Sequence, residues 1–329
     1  MKENKKRNKG KESMTLDNIL EEIKKANTIA ILTHENPDGD AIGSSLAMNL
    51  ALKKMGKNPD LIIPEYSRTY KFLPGIEDIK EKGQEEKYDL AIAVDCSDIK
   101  RLNGWANYFE NAKNTVSIDH HEVNTMFADY NYVDMAAPAC CQILVMVLEY
   151  FGIEINKEIG TCLLTGIITD TGGFKYEGVT AETFEFAASL LGKGINVSSI
   201  YQKVLQVRSR AHYELSKMVM DRMEFLQNDK ITFTYITEAD EEKVHSEVGD
   251  HEGLVEIGRD IEGVEVSIFL RQKENGFKVS LRSNGKVNVS DVCLMFGGGG
   301  HARAAGAYVQ GDLEQAKAKV LAEVEKAIK

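Results

Sequence analysis

The feature that most constrains this chain is a series of short apolar segments that alternate with amphipathic ones along its N-terminal part. Thr28–His34, Asp60–Pro64, Tyr88–Asp95 and Asn114–Asp119 are apolar along most of their length. Such runs are typical of strands that are buried on both faces of a parallel sheet. Gly39–Gly56, between the first two, has the apolar spacing of a helix. The alternation predicts an α/β fold, with a doubly wound, mainly parallel sheet and helices on both faces.

The rest of the chain predicts a second, smaller α/β body with a mixed sheet. Helical spacing continues over Cys140–Phe151, Ile155–Thr169, Ala181–Leu191 and a continuous stretch at 196–222. Strand patterns then follow at Lys230–Thr237, Val264–Gln272, Gly276–Ser283 and Ala305–Gln310, before a closing helix over Leu313–Ile328. The predicted domains are therefore a disordered tail (1–14), an α/β domain (15–195), a helical linker (196–222) and a smaller α/β domain (223–329).

The charge of the chain is unevenly distributed. The whole sequence of 329 residues has a net charge of −11, whereas residues 1–11 carry six basic side chains and one acidic one. The remaining residues are thus strongly acidic, at −16. An acidic body disfavours binding of long duplex nucleic acid, because neutralising phosphates requires clustered Lys and Arg. Small phosphorylated ligands remain compatible with it where a metal supplies the positive charge.

Cysteine usage and hydropathy indicate a cytoplasmic protein that does not cross a membrane. The five cysteines contain no C-x-x-C pair, which is typical of reduced intracellular thiols rather than of a disulfide framework. The basic N-terminal residues are not followed by a signal-peptide core. The longest apolar run, Ile143–Leu148, is far shorter than a membrane span.

Metal-binding residue types recur where the predicted strands end. An isolated Asp at such a position is usually a turn or helix-capping residue. Here, however, five Asp and three His occur together: His34, Asp38, Asp40, Asp95, Asp119, His120, His121 and, at a helix end, Asp170. The carboxyl ends of parallel strands meet at one edge of the sheet, where this many carboxylates would repel one another. The set predicts divalent cations, Mn²⁺ first, with Mg²⁺, Co²⁺ or Zn²⁺ left open.

A second group of candidate residues lies near the C-terminus, where Gly297–Gly300 precede His301 and Arg303. Glycines allow the backbone to approach a phosphate closely, and their amides can form an anion-binding nest. Arg282, on the preceding predicted strand, can add a charged fork. The alternative is a loop that is merely flexible. The substrate-binding residues predicted here are Arg282, Gly298, Gly299, Gly300, His301 and Arg303.

The motifs resemble those of the DHH phosphoesterase superfamily, which is named after the run seen here as Asp119-His120-His121. HENPDGDAIGSSLAM, VDCSD, DHHEVNTMFADYN and ITDTGGFKY are each similar to a motif of that family. SLRSNGKVNVSDVCLMFGGGGHARAAG resembles the DHH-associated domain, whose hallmark is the GGGH run. The two-domain form is similar to the NrnA-type group of oligoribonucleases and 3′-phosphoadenosine-5′-phosphate phosphatases.

The resemblance implies a role for each motif residue. The implied metal ligands are His34, Asp38 and Asp95 for one Mn²⁺, and Asp40, Asp95, His120 and Asp170 for a second, with Asp95 bridging. His121 would face the scissile phosphate. Asp119 would orient the histidines, as carboxylates beside metal-site imidazoles commonly do.

The function implied by the resemblance is two-metal hydrolysis of short oligoribonucleotides to mononucleotides, and also of 3′,5′-bisphosphoadenosine to AMP. The implied partners are short RNA or small adenine nucleotides, with no long duplex nucleic acid and no membrane; a homodimer is left open. One alternative is a phosphodiesterase for cyclic-di-AMP or pApA, because the motifs do not determine the shape of the cleft. A nucleotide-binding regulator without turnover is the non-enzymatic alternative.

Overall fold

The computed structural model describes residues 15–63, 65–176 and 178–328. The predicted disordered tail, residues 1–14, lies outside the described residues, and so does Pro64 at the end of the second predicted strand. The chain divides into two compact units between Val207 and Arg208.

The first unit is built on a six-stranded sheet in which every pairing is parallel. The strands are Ile29–Leu32 (β1), Asp60–Ile62 (β2), Ile79–Lys80 (β3), Leu90–Val94 (β4), Asn114–Asp119 (β5) and Tyr130–Val133 (β6). The prediction of a mainly parallel sheet is confirmed. β3 and β6 were not predicted, because these short edge strands lack the continuous apolar run of central strands.

Helices cover both faces of this sheet, as the sequence predicts. They are 15–25 (α1), Gly39–Lys54 (α2), Ala106–Glu110 (α3), Cys140–Tyr150 (α4), Lys157–Asp170 (α5), Ala181–Leu191 (α6) and Val197–Tyr201 (α7). Ile31 and Ile92 belong to the larger core, which includes α2, α4 and α5. Ala30 and Leu32 point the other way and pack with Phe109 of α3. Alternate strand residues thus enter two separate cores.

The order of the strands indicates where along the sheet edge a ligand is expected to bind. The order is β3-β2-β1-β4-β5-β6, so the chain extends the sheet first to one side of β1 and then, from β4, to the other. Ile29–Leu32 pair in register with Leu90–Ala93. In open parallel sheets, ligands bind outside the carboxyl ends of the strands where the order reverses. The residues that follow β1 and β4 lie at this position.

The prediction of one continuous helix over 196–222 is wrong. After α7, a π-helical turn spans Gln202–Gln206, and Val207 is extended, with φ −78° and ψ 124°. A new helix, Arg210–Asp221 (α8), begins where the Ser209 side chain accepts the His212 amide at 2.9 Å. The two parts also bury apolar residues in different cores, because Val204 packs in the first unit and Leu215 in the second.

The second unit contains a six-stranded mixed sheet, as predicted. Its strands are Glu224–Leu226 (β7), Ile231–Ile236 (β8), Val266–Lys273 (β9), Gly276–Ser283 (β10), Gly299–His301 (β11) and Ala304–Gln310 (β12), in the order β11-β12-β10-β9-β8-β7. The pairing of β8 with β9 is parallel, and the others are antiparallel. Its helices are Glu238–Lys243 (α9), Leu254–Arg259 (α10), Val289–Leu294 (α11) and Leu313–Ile328 (α12), besides α8. Among the described residues, no helix combines the length and apolar composition that crossing a membrane requires.

Candidate metal centre

The helix after β1 brings two carboxylates to the sheet edge in different roles. Asp38 is exposed and caps α2, since its Oδ1 accepts the amides of Asp40 and Ala41 at 3.0 Å each. Asp40 is buried and accepts the amides of Cys140 at 2.5 Å and Cys141 at 2.9 Å. These amides belong to the first two residues of α4, and the N-cap residue of that helix makes no side-chain hydrogen bond. Asp40 therefore satisfies a helix terminus distant in sequence, which fixes its carboxylate.

His34 and Asp95 follow the neighbouring strands β1 and β4. Nε2 of His34 lies 3.7 Å from Oδ2 of Asp95, and both side chains are buried. Nδ1 of His34 donates to the carbonyl of Glu35 at 2.7 Å, which leaves the lone pair on Nε2. Asp95 has φ 53°, a left-handed conformation that Asp adopts more readily than most residues. The turn after β4 thus directs a carboxylate back across the strand ends.

His120, which directly follows β5, faces three carboxylates. Its Nε2 is 3.4 Å from Oδ1 of Asp95, 3.5 Å from Oδ2 of Asp170 and 3.9 Å from Oδ2 of Asp40. Nδ1 donates to the carbonyl of Ala137 at 3.2 Å. The hydrogen is therefore on Nδ1, and Nε2 is the atom that can bind a metal.

His121 makes a different set of contacts from its neighbour. Its Nδ1 donates to Oδ1 of Asp119 at 2.7 Å, and Oδ2 of Asp119 accepts from Asn124 at 2.6 Å. Burial is the largest single influence and acts to raise the pKa of Asp119, but the interactions with His121 and the hydrogen bond from Asn124 together lower that pKa. The ionised Asp119 holds the imidazole in one orientation, with its lone pair on Nε2.

The buried acids and bases of this edge perturb one another strongly. Burial, with the charge of Asp95, raises the pKa of Asp40 to about 7. Burial alone would also raise the pKa of Asp95, but the imidazoles of His120 and His34 bring it well below its ordinary value. Burial acts to lower the pKa of His120, but Asp95 and Asp170 raise it well above its usual range. Bound cations would relieve this competition for protons.

The ligand atoms form groups that share Asp95. Within each group, one ligand atom from every residue lies within 4.8 Å of the others. The first group is His34, Asp38 and Asp95; the second is Asp40, Asp95 and His120; the third is Asp95, Asp119 and His121. Oδ1 of Asp95 is buried and accepts no hydrogen bond from the described residues. Buried carboxylate oxygens are rarely left without a partner. This donor set of carboxylates and imidazoles fits divalent cations.

Asp170 reaches the site because α2 and α5 pack very closely. A Cβ at Gly43 would lie 2.6 Å from the carbonyl oxygen of Cys162, and one at Gly39 would lie 2.4 Å from Oγ1 of Thr169. Only glycine permits this approach, because a real Cβ essentially never comes closer than 3.0 Å.

Gly166→Ala is expected to disturb this packing and the Asp40 carboxylate together. The new Cβ would lie 2.3 Å from Sγ of Cys141 and 2.6 Å from Oδ1 of Asp40. We expect a loss of about 1–3 kcal/mol in the free energy of unfolding, together with weaker Mn²⁺ binding. Thermal unfolding and metal titration measure the two effects. Gly104→Ala is the control, because nothing lies within 4 Å of its added Cβ. Parent-like values for Gly166→Ala would contradict the packing argument.

In the second unit, the glycine run is not an open loop. Gly299–His301 form β11, which pairs with Ala304–Gly306 of β12. A Cβ at Gly298 would lie 2.1 Å from the carbonyl oxygen of Gly306, and Gly300 has φ 146°. At these positions, strand packing and backbone conformation explain the glycines, so the alternative of a merely flexible loop is wrong for residues 299–301.

The two arginines predicted to bind substrate both contact this unit's own residues. Nε of Arg282 donates to Oε1 of Glu256 on α10 at 2.8 Å, and its Nη1 donates to the carbonyl of Leu281 at 3.1 Å. The guanidinium of Arg303 lies over Gly285, where an added Cβ would be 2.9 Å from Nη2. Glu256 thus fixes the direction of Arg282 and offsets its charge.

Two neighbours of the metal centre lie outside the residues that the sequence singles out. Asn124 holds Asp119, and Nη1 of Arg101 lies 3.4 Å from Nε2 of His121. Both follow a predicted strand by only a few residues, which is the available sequence signal. Nothing local distinguishes them from ordinary polar loop residues.

Comparison with known families matches both units. Residues 28–167 match the DHH family, N-terminal domain, and residues 228–329 match the DHHA1 domain. A curated relative from Thermus thermophilus, named bifunctional oligoribonuclease and PAP phosphatase NrnA, is 35% identical over 308 residues, which is 92% of this chain and 91% of the relative.

Solved structures share the fold. An exopolyphosphatase-related protein from Bacteroides fragilis is 29% identical, with a TM-score of 0.87 over 95% of this chain and 96% of that one. RecJ from Thermus thermophilus, in complex with Mn²⁺, is 14% identical, with a TM-score of 0.56 over 96% of this chain and 55% of that one. The second likeness concerns the fold alone.

Proposed function

The chain belongs to the DHH family of phosphoesterases, and on that basis we propose that it hydrolyses short oligoribonucleotides to mononucleotides and 3′,5′-bisphosphoadenosine (PAP) to AMP. The observation that carries this proposal is the set of three ligand groups that share Asp95, in a chain similar over nearly its whole length to a relative named for both activities. We propose that the protein acts in the cytoplasm, on short RNA and small adenine nucleotides.

We propose two Mn²⁺ ions as the cofactors. His34, Asp38 and Asp95 would hold one ion, and Asp40, Asp95, His120 and Asp170 would hold the other. When bound, such ions act as Lewis acids on a phosphate and on the attacking water. The protein's own part is to fix the ligands, through α4 for Asp40 and through the carbonyl of Ala137 for His120.

We propose that His121 is the catalytic residue that faces the scissile phosphate. Asp119 keeps its Nδ1 hydrogen-bonded, so Nε2 is the atom available to the reaction. Once Nε2 is protonated, His121 can donate that proton to the ribose oxygen that leaves as water attacks phosphorus. Asp119 would stabilise the imidazolium form of His121 that donates this proton and becomes neutral imidazole, as a buried carboxylate does for a catalytic histidine.

We further propose that residues 15–195 carry the catalytic site and that residues 223–329 bind the nucleotide part of the substrate. The contacts would come from Arg282, Gly298, Gly299, Gly300, His301 and Arg303. The support is the resemblance of the GGGH run to the DHH-associated domain and the match of residues 228–329 to DHHA1.

His301→Ala is expected to impair nucleotide substrates more than a generic diester. A charged hydrogen bond lost from a partly buried site reduces kcat/KM by about 10–150-fold. Bis-p-nitrophenyl phosphate contains no nucleotide for the second unit to bind, so kcat/KM for this ester should fall much less. Steady-state kinetics with pApA and with the generic ester measure the difference. Exposed His245 provides the control variant His245→Ala. Equal efficiency of His301→Ala and the parent on pApA would refute this assignment.

One panel of substrates with Mn²⁺ tests the proposed function against its alternatives. It contains short and long RNAs, PAP, pApA, cyclic-di-AMP and pyrophosphate, each with and without a chelator. We expect metal-dependent hydrolysis of short RNA and PAP. A preference for cyclic-di-AMP would favour the phosphodiesterase alternative. Tight nucleotide binding without any turnover would favour a regulator.

A further inference from the structure

Arg101 places a permanent positive charge beside the candidate metal centre. Its Nη1 lies 3.4 Å from Nε2 of His121 and 3.5 Å from Oγ of Ser97. Both contacts are longer than the distance of about 2.9 Å that is usual for such hydrogen bonds. A guanidinium has five N–H donors in a planar fork, and these contacts use one nitrogen. The group is therefore near the site with most of its donor capacity unused by these contacts.

The backbone around Arg101 is firmly held. Arg101 lies in the 3₁₀ helix Ile99–Trp105, and the Asp98 side chain caps this helix by accepting the Lys100 amide at 2.8 Å. The carbonyl of Arg101 accepts the amide of Glu35 at 2.7 Å. Asn103 donates to Oε2 of Glu35 at 2.6 Å and has φ 45°. These bonds tie the segment after β4 to the segment after β1, so Arg101 is positioned before any ligand arrives.

The charge balance of the site also favours an anion near Arg101. The site contains five carboxylates, those of Asp38, Asp40, Asp95, Asp119 and Asp170. When ionised they carry a charge of −5, and two divalent cations would reduce the net charge to −1. Arg101 brings this total to zero. A phosphodiester, which is itself an anion, would otherwise enter a site of its own sign.

We propose that Arg101 binds nonbridging oxygens of the scissile phosphate and gives up its contact with His121 when substrate enters. This inference rests on the proposed function. The fork can donate two parallel hydrogen bonds to phosphate oxygens, a geometry that an ammonium group does not offer. The same move leaves Nε2 of His121 facing the phosphate. Donors fixed in advance stabilise the charge that develops on phosphoryl oxygens in the transition state.

Arg101→Ala and Arg101→Lys test the proposal, with Lys100→Ala as the matched control. Lys100 is the exposed neighbour and carries the same charge. For Arg101→Ala we expect kcat/KM to fall by about 10²–10³-fold on both pApA and bis-p-nitrophenyl phosphate. The generic ester should be affected equally, because the contact is to the reacting phosphate. Arg101→Lys should recover only part of the loss, and added guanidinium should partly rescue Arg101→Ala.

A binding measurement makes the test independent of turnover. Calorimetric titration of Mn²⁺-loaded protein with inorganic phosphate should show affinity about 10–150-fold weaker for Arg101→Ala than for the parent or Lys100→Ala. Bound Mn²⁺ and the midpoint of thermal unfolding should stay as in the parent. Parent-like phosphate affinity in Arg101→Ala would overturn the inference, and so would loss of Mn²⁺ in that variant. If the parent hydrolyses no ester yet binds phosphate through Arg101, the inference stands and the proposed function fails.

Discussion

Asp95→Asn is expected to remove nearly all hydrolysis and to lower the amount of bound metal. Asp95 is the residue common to all three ligand groups of the first unit, and its Oδ1 accepts no hydrogen bond from the described residues. Losing it should impair both ions, so the fall in kcat should exceed the roughly 10²–10⁴-fold that is typical of removing a general acid or base. Turnover of pApA and elemental analysis of the purified variant measure the two effects.

The stability of the metal-free variant separates a lost ligand from misfolding. Asn tolerates the left-handed backbone of Asp95, and the change removes one carboxylate from a buried acidic cluster. Despite burial, His120 and His34 hold the pKa of Asp95 well below its ordinary value, so the carboxylate stabilises the metal-free protein. Metal-free Asp95→Asn should therefore stay folded and unfold cooperatively, but at a lower temperature than the metal-free parent. Asp260→Asn, at a largely exposed side chain, is the control for charge. If Asp95→Asn kept parent-like metal content and turnover, the shared-ligand interpretation would be wrong.

His121→Ala and His120→Ala are expected to fail in different ways. His120 directs Nε2 at three carboxylates, so its loss should reduce bound metal. His121 is held through Nδ1 by Asp119, so its loss should lower kcat by about 10²–10⁴-fold while metal content stays nearly intact.

Elemental analysis and single-turnover rates of both variants test this division of roles. His245→Ala, at an exposed turn, provides the baseline. Equal metal loss in the two variants would mean that both histidines are ligands. A His121→Ala protein with parent-like kcat would remove the residue from the catalytic step.

The sequence by itself determined the parallel sheet and the edge at which the site forms. Continuous apolar runs identify buried parallel strands, and consecutive parallel strands must end at the same edge. The residues that follow β1, β4 and β5 therefore had to meet, whatever the details of the loops. Local pattern was sufficient here because each strand and the residues after it are adjacent in the chain.

Only the tertiary structure decided which partners fix the side chains of the metal centre. Asp40 accepts the amides of Cys140 and Cys141, and Arg101 lies against His121; these partners are distant in sequence. The helix break at Val207 and the pairing of Gly299–His301 with β12 likewise depend on contacts between segments that local periodicity does not describe. Propensity and periodicity report a residue's near neighbours, whereas hydrogen-bond partners, close glycine packing and shared charge are set by long-range contacts of the folded chain.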